Sequence, residues 1–148
     1  MLTPLNQYQN TQVSTSSPER LLLMLYDGAI NFTRIALDKM GKNDIAGKGI
    51  FIGKAQAIVS ELMNTLNHEV GGDISRRLEQ LYIYLIDEYL AANINNSPRS
   101  LENALKILTI LRDTWIEAID IWHRERDAQT PPLSAAGQPQ SRAVGQMG

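Results

Sequence analysis

The chain has 148 residues, 43% of them hydrophobic, and no cysteine. A chain of that size buries about two-thirds of the surface its unfolded form exposes, enough for one self-supporting domain, and the missing thiol excludes disulfides, thiolate metal sites and cysteine nucleophiles. Lys+Arg is 14 against 16 Asp+Glu, a formal charge of −2, so the cationic surplus of a phosphate-backbone binder is absent and no nucleic-acid partner is expected.

Residues 1–16 carry no charge and are rich in Thr, Ser, Asn and Gln, with Leu2, Leu5, Tyr8 and Val13 scattered among them. They read as a flexible N-terminal arm. No basic segment followed by an apolar stretch opens the chain, and the longest apolar run, Leu21 to Leu25, is far below the roughly 20 residues of a membrane span. A cytoplasmic protein with no membrane insertion is the expectation.

Ser17-Pro18-Glu19 is a helix start: a capping hydroxyl, proline at the first helical position and an acid in the first turn. Leu21, Leu25, Phe32, Ile35 and Met40 then follow helical spacing, with Gly28 in the stripe and Gly41 as the stop signal. After Asp44 a second run carries Phe51, Ala55, Ile58, Leu62 and Leu66 on one face. The stretch from His68 to Gly72 is a break, after which Asp73 caps a third run through Ile74, Leu78, Leu81, Leu85, Tyr89 and Ala92. Asn95-Asn96 ends it. Ser97-Pro98 restarts the chain with the same capping device, and Leu101, Leu105, Leu108, Leu111, Trp115, Ile119 and Trp122 mark a fourth run.

No segment alternates with a period of two, so the predicted fold is all-α. Four long helices with short connections must run antiparallel to their neighbours, giving an up-down-up-down four-helix bundle over residues 17–127. Residues 128–148 hold Pro131, Pro132 and Pro139 with few charges or large apolar groups, and read as a disordered tail.

Helical bundles often hold metals, but a di-metal carboxylate site needs Glu-x-x-His pairs, and neither His68 nor His123 has a Glu three residues before it. Gly47-Lys48-Gly49 and Gly53-Lys54 imitate a phosphate loop, yet Gly49 and Gly53 are separated by three residues instead of four and Ala55 stands where Ser or Thr is needed. Lys39, Lys42, Lys48 and Lys54 are interrupted by Asp38 and Asp44 and read as a solvated loop. No nucleophile-base constellation is marked. Neither catalysis, a cofactor nor a metal is expected.

What the pattern does contain is more apolar surface than one stripe per helix requires. Leu23, Tyr26, Ile30 and Leu37 form a second ridge on the first helix. Ile52, Val59 and Met63 form one on the second, and Ile107, Ile110 and Ile121 lie beside the core stripe of the fourth, with Thr114 between them. Such a ridge is either buried on a second side by another helix or open to a partner; a bundle of four helices has no central helix, so these ridges predict exposed grooves able to take the apolar face of a partner segment. A homo-oligomer that buries the ridges against its own copies, with a structural or regulatory role, is the rival reading.

Tyr8, Val13, Thr15, Ser17-Pro18, Leu21-Leu22 and the run Met24-Leu25-Tyr26-Asp27-Gly28-Ala29-Ile30 together resemble the opening signature of the FliS family. The likeness continues through Lys54-Ala55, Ile58, Glu61-Leu62, Gly71-Gly72, Ile74, Leu81-Tyr82, Tyr84, Leu90, Ala92-Asn93, Leu111-Arg112 and Trp115, covering roughly residues 5 to 122. The resemblance implies a cytoplasmic flagellar export chaperone without nucleotide use. Its expected partner is the disordered C-terminal segment of flagellin, kept from early polymerisation and delivered to the flagellar type III export apparatus, with export components or flagellin regulators as further partners. The expected binding residues are Leu5, Tyr8, Tyr26, Ile52, Val59, Met63, Ile107, Ile110 and Ile121, on a monomer or weak homodimer. Tyr26 beside Gly28 is expected at a close approach of another backbone, and the arm is expected either to cover the groove or to pack as an ordinary terminus.

Overall fold

A computed structural model describes residues 17–129. It contains four helices: α1 (Pro18–Gly41), α2 (Ile45–Asn64), α3 (His68–Asn95) and α4 (Pro98–Gln129). The expectations for Leu5, Tyr8 and the arm, and for the tail beyond Gln129, lie outside the described residues. The chain divides into two compact units, up to Thr114 and from Trp115 onward, so the division falls within α4. Each unit is described by itself.

The capping residues act largely as their chemistry dictates. Ser17 Oγ accepts from Arg20 N at 3.2 Å, Asp44 Oδ1 from Gly47 N at 2.9 Å and Ser97 Oγ from Ser100 N at 3.3 Å. α3 ends on Asn96 in the left-handed conformation, φ 50°. After Gly41 the left-handed turn falls on Asn43, φ 60°, so the glycine there closes the helix without supplying the positive φ. The break expected from His68 to Gly72 is narrower than predicted. Asn67 caps a first turn by accepting from Glu69 N and Val70 N, and the interruption is concentrated at Gly72, with φ 54° and ψ −127°. Asp73 bonds the Arg76 guanidinium at 2.9 Å, a side-chain partner instead of the backbone.

In the first unit, side chains join all four helices. Phe32 of α1 and Phe51 of α2 lie 5.9 Å apart between ring centroids. A Cβ on Gly28 of α1 would stand 3.0 Å from Ile58 Cδ1 of α2. Tyr26 and Thr33 of α1 bond Tyr82 and Tyr89 of α3. Asn103 of α4 bonds Glu88 of α3, and Arg112 of α4 pairs with Asp27 of α1.

α1 therefore touches three helices, and this corrects the expectation that no helix is central. Its second ridge is needed inside: Tyr26 and Ile30 are buried beside Leu25 and Ala29. α2 is likewise buried on two sides, because it packs on α1 through Phe51 and Ile58 and on α3 through Lys48. The core is completed by Ile52, Ala55, Ile58, Val59 and Leu62 of α2, Tyr82, Leu85 and Tyr89 of α3, and Leu101, Ala104 and Leu108 of α4.

Lys48 is a second correction. It is not a solvated loop residue but a buried one, whose ammonium donates to Asn93 O at 3.2 Å and Asn96 Oδ1 at 3.1 Å at the C-terminus of α3. The unsatisfied carbonyls and negative dipole end of a helix favour a cation there.

Candidate functional site

Among the expected binding residues, Tyr26, Ile52 and Val59 do not line an open groove. They are 0%, 2% and 0% exposed. The packing of α1 and α2 on two or more neighbours absorbs them, and the Tyr26 hydroxyl is hydrogen-bonded to Tyr82 of the chain itself, at 2.5 Å. The close approach at Gly28 likewise comes from the Ile58 side chain of α2. Met63 is half-buried near the end of α2.

Ile107 and Ile110 fare differently. Ile110 is 54% exposed and Ile107 is half-buried. Their face of α4 borders α3 through a polar clasp: Asn103 Nδ2 donates to Glu88 Oε2 at 2.9 Å, and Tyr84 OH donates to the same oxygen at 3.0 Å. The hydrogen bond to Glu88 raises the Tyr84 phenol's pKa above its ordinary value. With Asn103 and Glu88 level on antiparallel helices, one turn further brings position 107 level with 84, and the next brings 110 level with 81. Tyr84 is 45% and Leu81 37% exposed. Leu81, Tyr84, Ile107 and Ile110 thus make an apolar strip open to solvent along the α3/α4 seam, with the Glu88 clasp at one end.

Ile121, the third member of the expected α4 ridge, belongs to the second unit. There it is 43% exposed and lines a shallow hollow with Arg124, Glu125 and Ala128. In the same unit the Arg126 guanidinium lies 4.8 Å from the Trp122 ring centroid and donates to His123 Nδ1 at 3.0 Å.

α3 is what the sequence reading missed. Ile83, Leu90 and Ile94 are all exposed on its outer face, at spacings of 7 and 4. The same off-stripe rule that singles out ridges on the other helices identifies them too.

The chemistry on offer is apolar burial with few directional groups. Among the described residues, no cluster of three His, Cys, Asp or Glu side chains is placed to hold a metal ion, and no helix is long and apolar enough to cross a membrane. The ion pair between Asp27 and Arg112, which raises the guanidinium's pKa mainly through their hydrogen bond, ties α1 to α4.

The model of the family described as flagellar protein FliS matches residues 1–121. The flagellar secretion chaperone FliS of Bacillus subtilis is 33% identical over 123 residues, covering 83% of this chain and 91% of the relative. That of Vibrio cholerae is 32% identical, covering 77% of this chain and 84% of its own length. The Salmonella typhimurium FliS is 33% identical over 70% of this chain and 77% of its own. With a family model spanning most of the sequence and relatives matched along most of their length, the chain belongs to the FliS family of flagellar proteins.

Proposed function

We propose that this protein is a cytoplasmic flagellar export chaperone that binds the disordered C-terminal segment of flagellin. Binding keeps the segment from polymerising early and presents the subunit to the flagellar type III export apparatus. Family membership supports the chaperone role, since the relatives are flagellar secretion chaperones by name. The observation that carries the binding mode is the strip of Leu81, Tyr84, Ile107 and Ile110, apolar, open to solvent and shared by two neighbouring helices. Flagellin termini are amphipathic segments that pair with each other in the filament; a segment whose apolar face lies on this strip is unavailable for that pairing. Met63, Ile121 and the arm residues Leu5 and Tyr8 belong to the proposal as further client contacts. The buried Tyr26, Ile52 and Val59 do not.

The test is calorimetric titration with a peptide from the C-terminus of the organism's own flagellin. Saturable binding with a negative heat-capacity change is expected, because apolar area leaves water. Ile110→Asp and Tyr84→Asp should each weaken binding by roughly tenfold or more, the scale of a well-packed interface anchor. Absence of heat at several temperatures with a folded monomer overturns the reading. Light scattering showing that the strip is already covered by a second copy favours the oligomeric rival.

A further inference from the structure

Two hydrogen bonds inside the first unit share a numerical relation. Tyr26 OH and Tyr82 OH are 2.5 Å apart, and Thr33 Oγ1 and Tyr89 OH are 2.7 Å apart; each pair is separated by 56 residues in the chain. One pair therefore follows the other by seven residues on both helices, which requires α1 and α3 to run parallel and in step. Seven residues is the repeat with which two packed helices return the same face to each other. All four side chains are fully or almost fully buried. The proton arrangement of the second pair is determined: Thr33 Oγ1 donates to Ala29 O at 2.7 Å, so the Tyr89 phenol donates to Thr33.

We propose that these two polar rungs lock the register of α1 against α3, selecting one parallel alignment from several that apolar packing alone would accept. Apolar contacts are non-directional, and the apolar side chains buried on these two helices, Leu25, Ala29 and Ile30 of α1 and Leu85 and Ala92 of α3, offer similar groups at each turn. A slip of one turn, about 5.4 Å, breaks both rungs and leaves four hydroxyls buried without these partners. A slip of a whole heptad, which apolar packing tolerates best, brings Tyr26 opposite Tyr89 or Thr33 opposite Tyr82, so one rung survives and the other is lost. Two rungs penalise every slip; one mixed rung made across the wrong pair does not rescue the second. The series stops there: Ser75, one heptad before Tyr82, is buried with its Oγ lacking a hydrogen-bond partner among the described residues. Buried polar pairs of this kind are weak sources of net stability, and register selection is their best-attested use.

The chain's two-sided pairs make the test clean. Replacing both members of each rung with apolar groups of similar shape removes donor and acceptor of the rung together. The four-site variant Tyr26→Phe, Thr33→Val, Tyr82→Phe, Tyr89→Phe should stay helical by circular dichroism. Its amide NMR spectrum should split into several sets of signals where the parent gives one. The two variants that keep a single native rung, Thr33→Val with Tyr89→Phe and Tyr26→Phe with Tyr82→Phe, should return to one set. A four-site variant with one set of signals and the parent's chemical-shift pattern overturns the proposal. So does unfolding of all three variants, which would make the rungs a source of stability and not of selection.

Discussion

Tyr82 and Tyr89 keep their protons well beyond the pH at which an exposed phenol loses its own. Burial is the main cause at both: it pushes Tyr89 up to about 12 from 10.0 and raises Tyr82 too, where the neighbouring Tyr26 adds to the effect. A folded-state value above the unfolded one means that the contribution to stability is intact below pH 10. As pH rises past that point the unfolded chain releases protons that the folded chain retains, so stability falls, by about 1.4 kcal/mol per pH unit for each phenol. Denaturant midpoints measured from pH 9 to 12 should decline accordingly, and Tyr82→Phe with Tyr89→Phe should flatten that decline. None of this was legible in sequence, where aromatics at helical spacing read only as core. Lys48 shows the same limit. A lysine between two glycines gives no sign that it will cross to another helix's carbonyls, because the partner atom, Asn93 O, is backbone and leaves no trace in residue identity.

The helices themselves were legible nearly to their ends, because their signals are local. Ser17 with Pro18 and Ser97 with Pro98 each combine a hydroxyl acceptor with a residue pre-set for the first turn, and both start where expected. The double stripes were legible as well, but not their meaning. Whether a second ridge meets solvent or another helix depends on how many neighbours the helix has, and periodicity within one helix does not carry that number. At α1 and α2 the ridges found helices; at α4 Ile110 found water. Gly72 yields the prediction at this scale. A Cβ there would meet nothing within 4 Å, yet φ 54° with ψ −127° is a conformation that side-chain-bearing residues rarely adopt. Gly72→Ala should therefore destabilise by about 1–3 kcal/mol through backbone strain alone, read by chemical denaturation, whereas crowding predicts no cost at that open position.

For the first unit as a body, the division between interior and strip makes a separable prediction. Ile110→Asp and Tyr84→Asp alter side chains that water already reaches, the second also removing the hydrogen bond to Glu88, so each should cost no more than about 1–2 kcal/mol of unfolding free energy while binding of the apolar dye 1-anilinonaphthalene-8-sulfonate drops. Ile52→Asp places an unpaired carboxylate where exposure is 2%, and that variant should fail to fold stably. Equal loss of stability in all three, followed by thermal melts, would mean that the strip belongs to the core. The resemblance named the family, but the open surface became visible only once three-dimensional packing had subtracted the ridges that the bundle uses for itself.

The equal offset of the two tyrosine rungs also sorts where the chain tolerates a change of length. Between Tyr26 and Thr33 an added residue turns the remainder of α1 by about 100°, and whichever rung is held, the other faces away. The same addition in the Thr65–Asn67 connection moves neither member of a rung along its own helix. Spacing is constrained within the helices and free between them, so the distance of 56 residues is an outcome of loop lengths, while the seven inside it is the quantity the fold enforces.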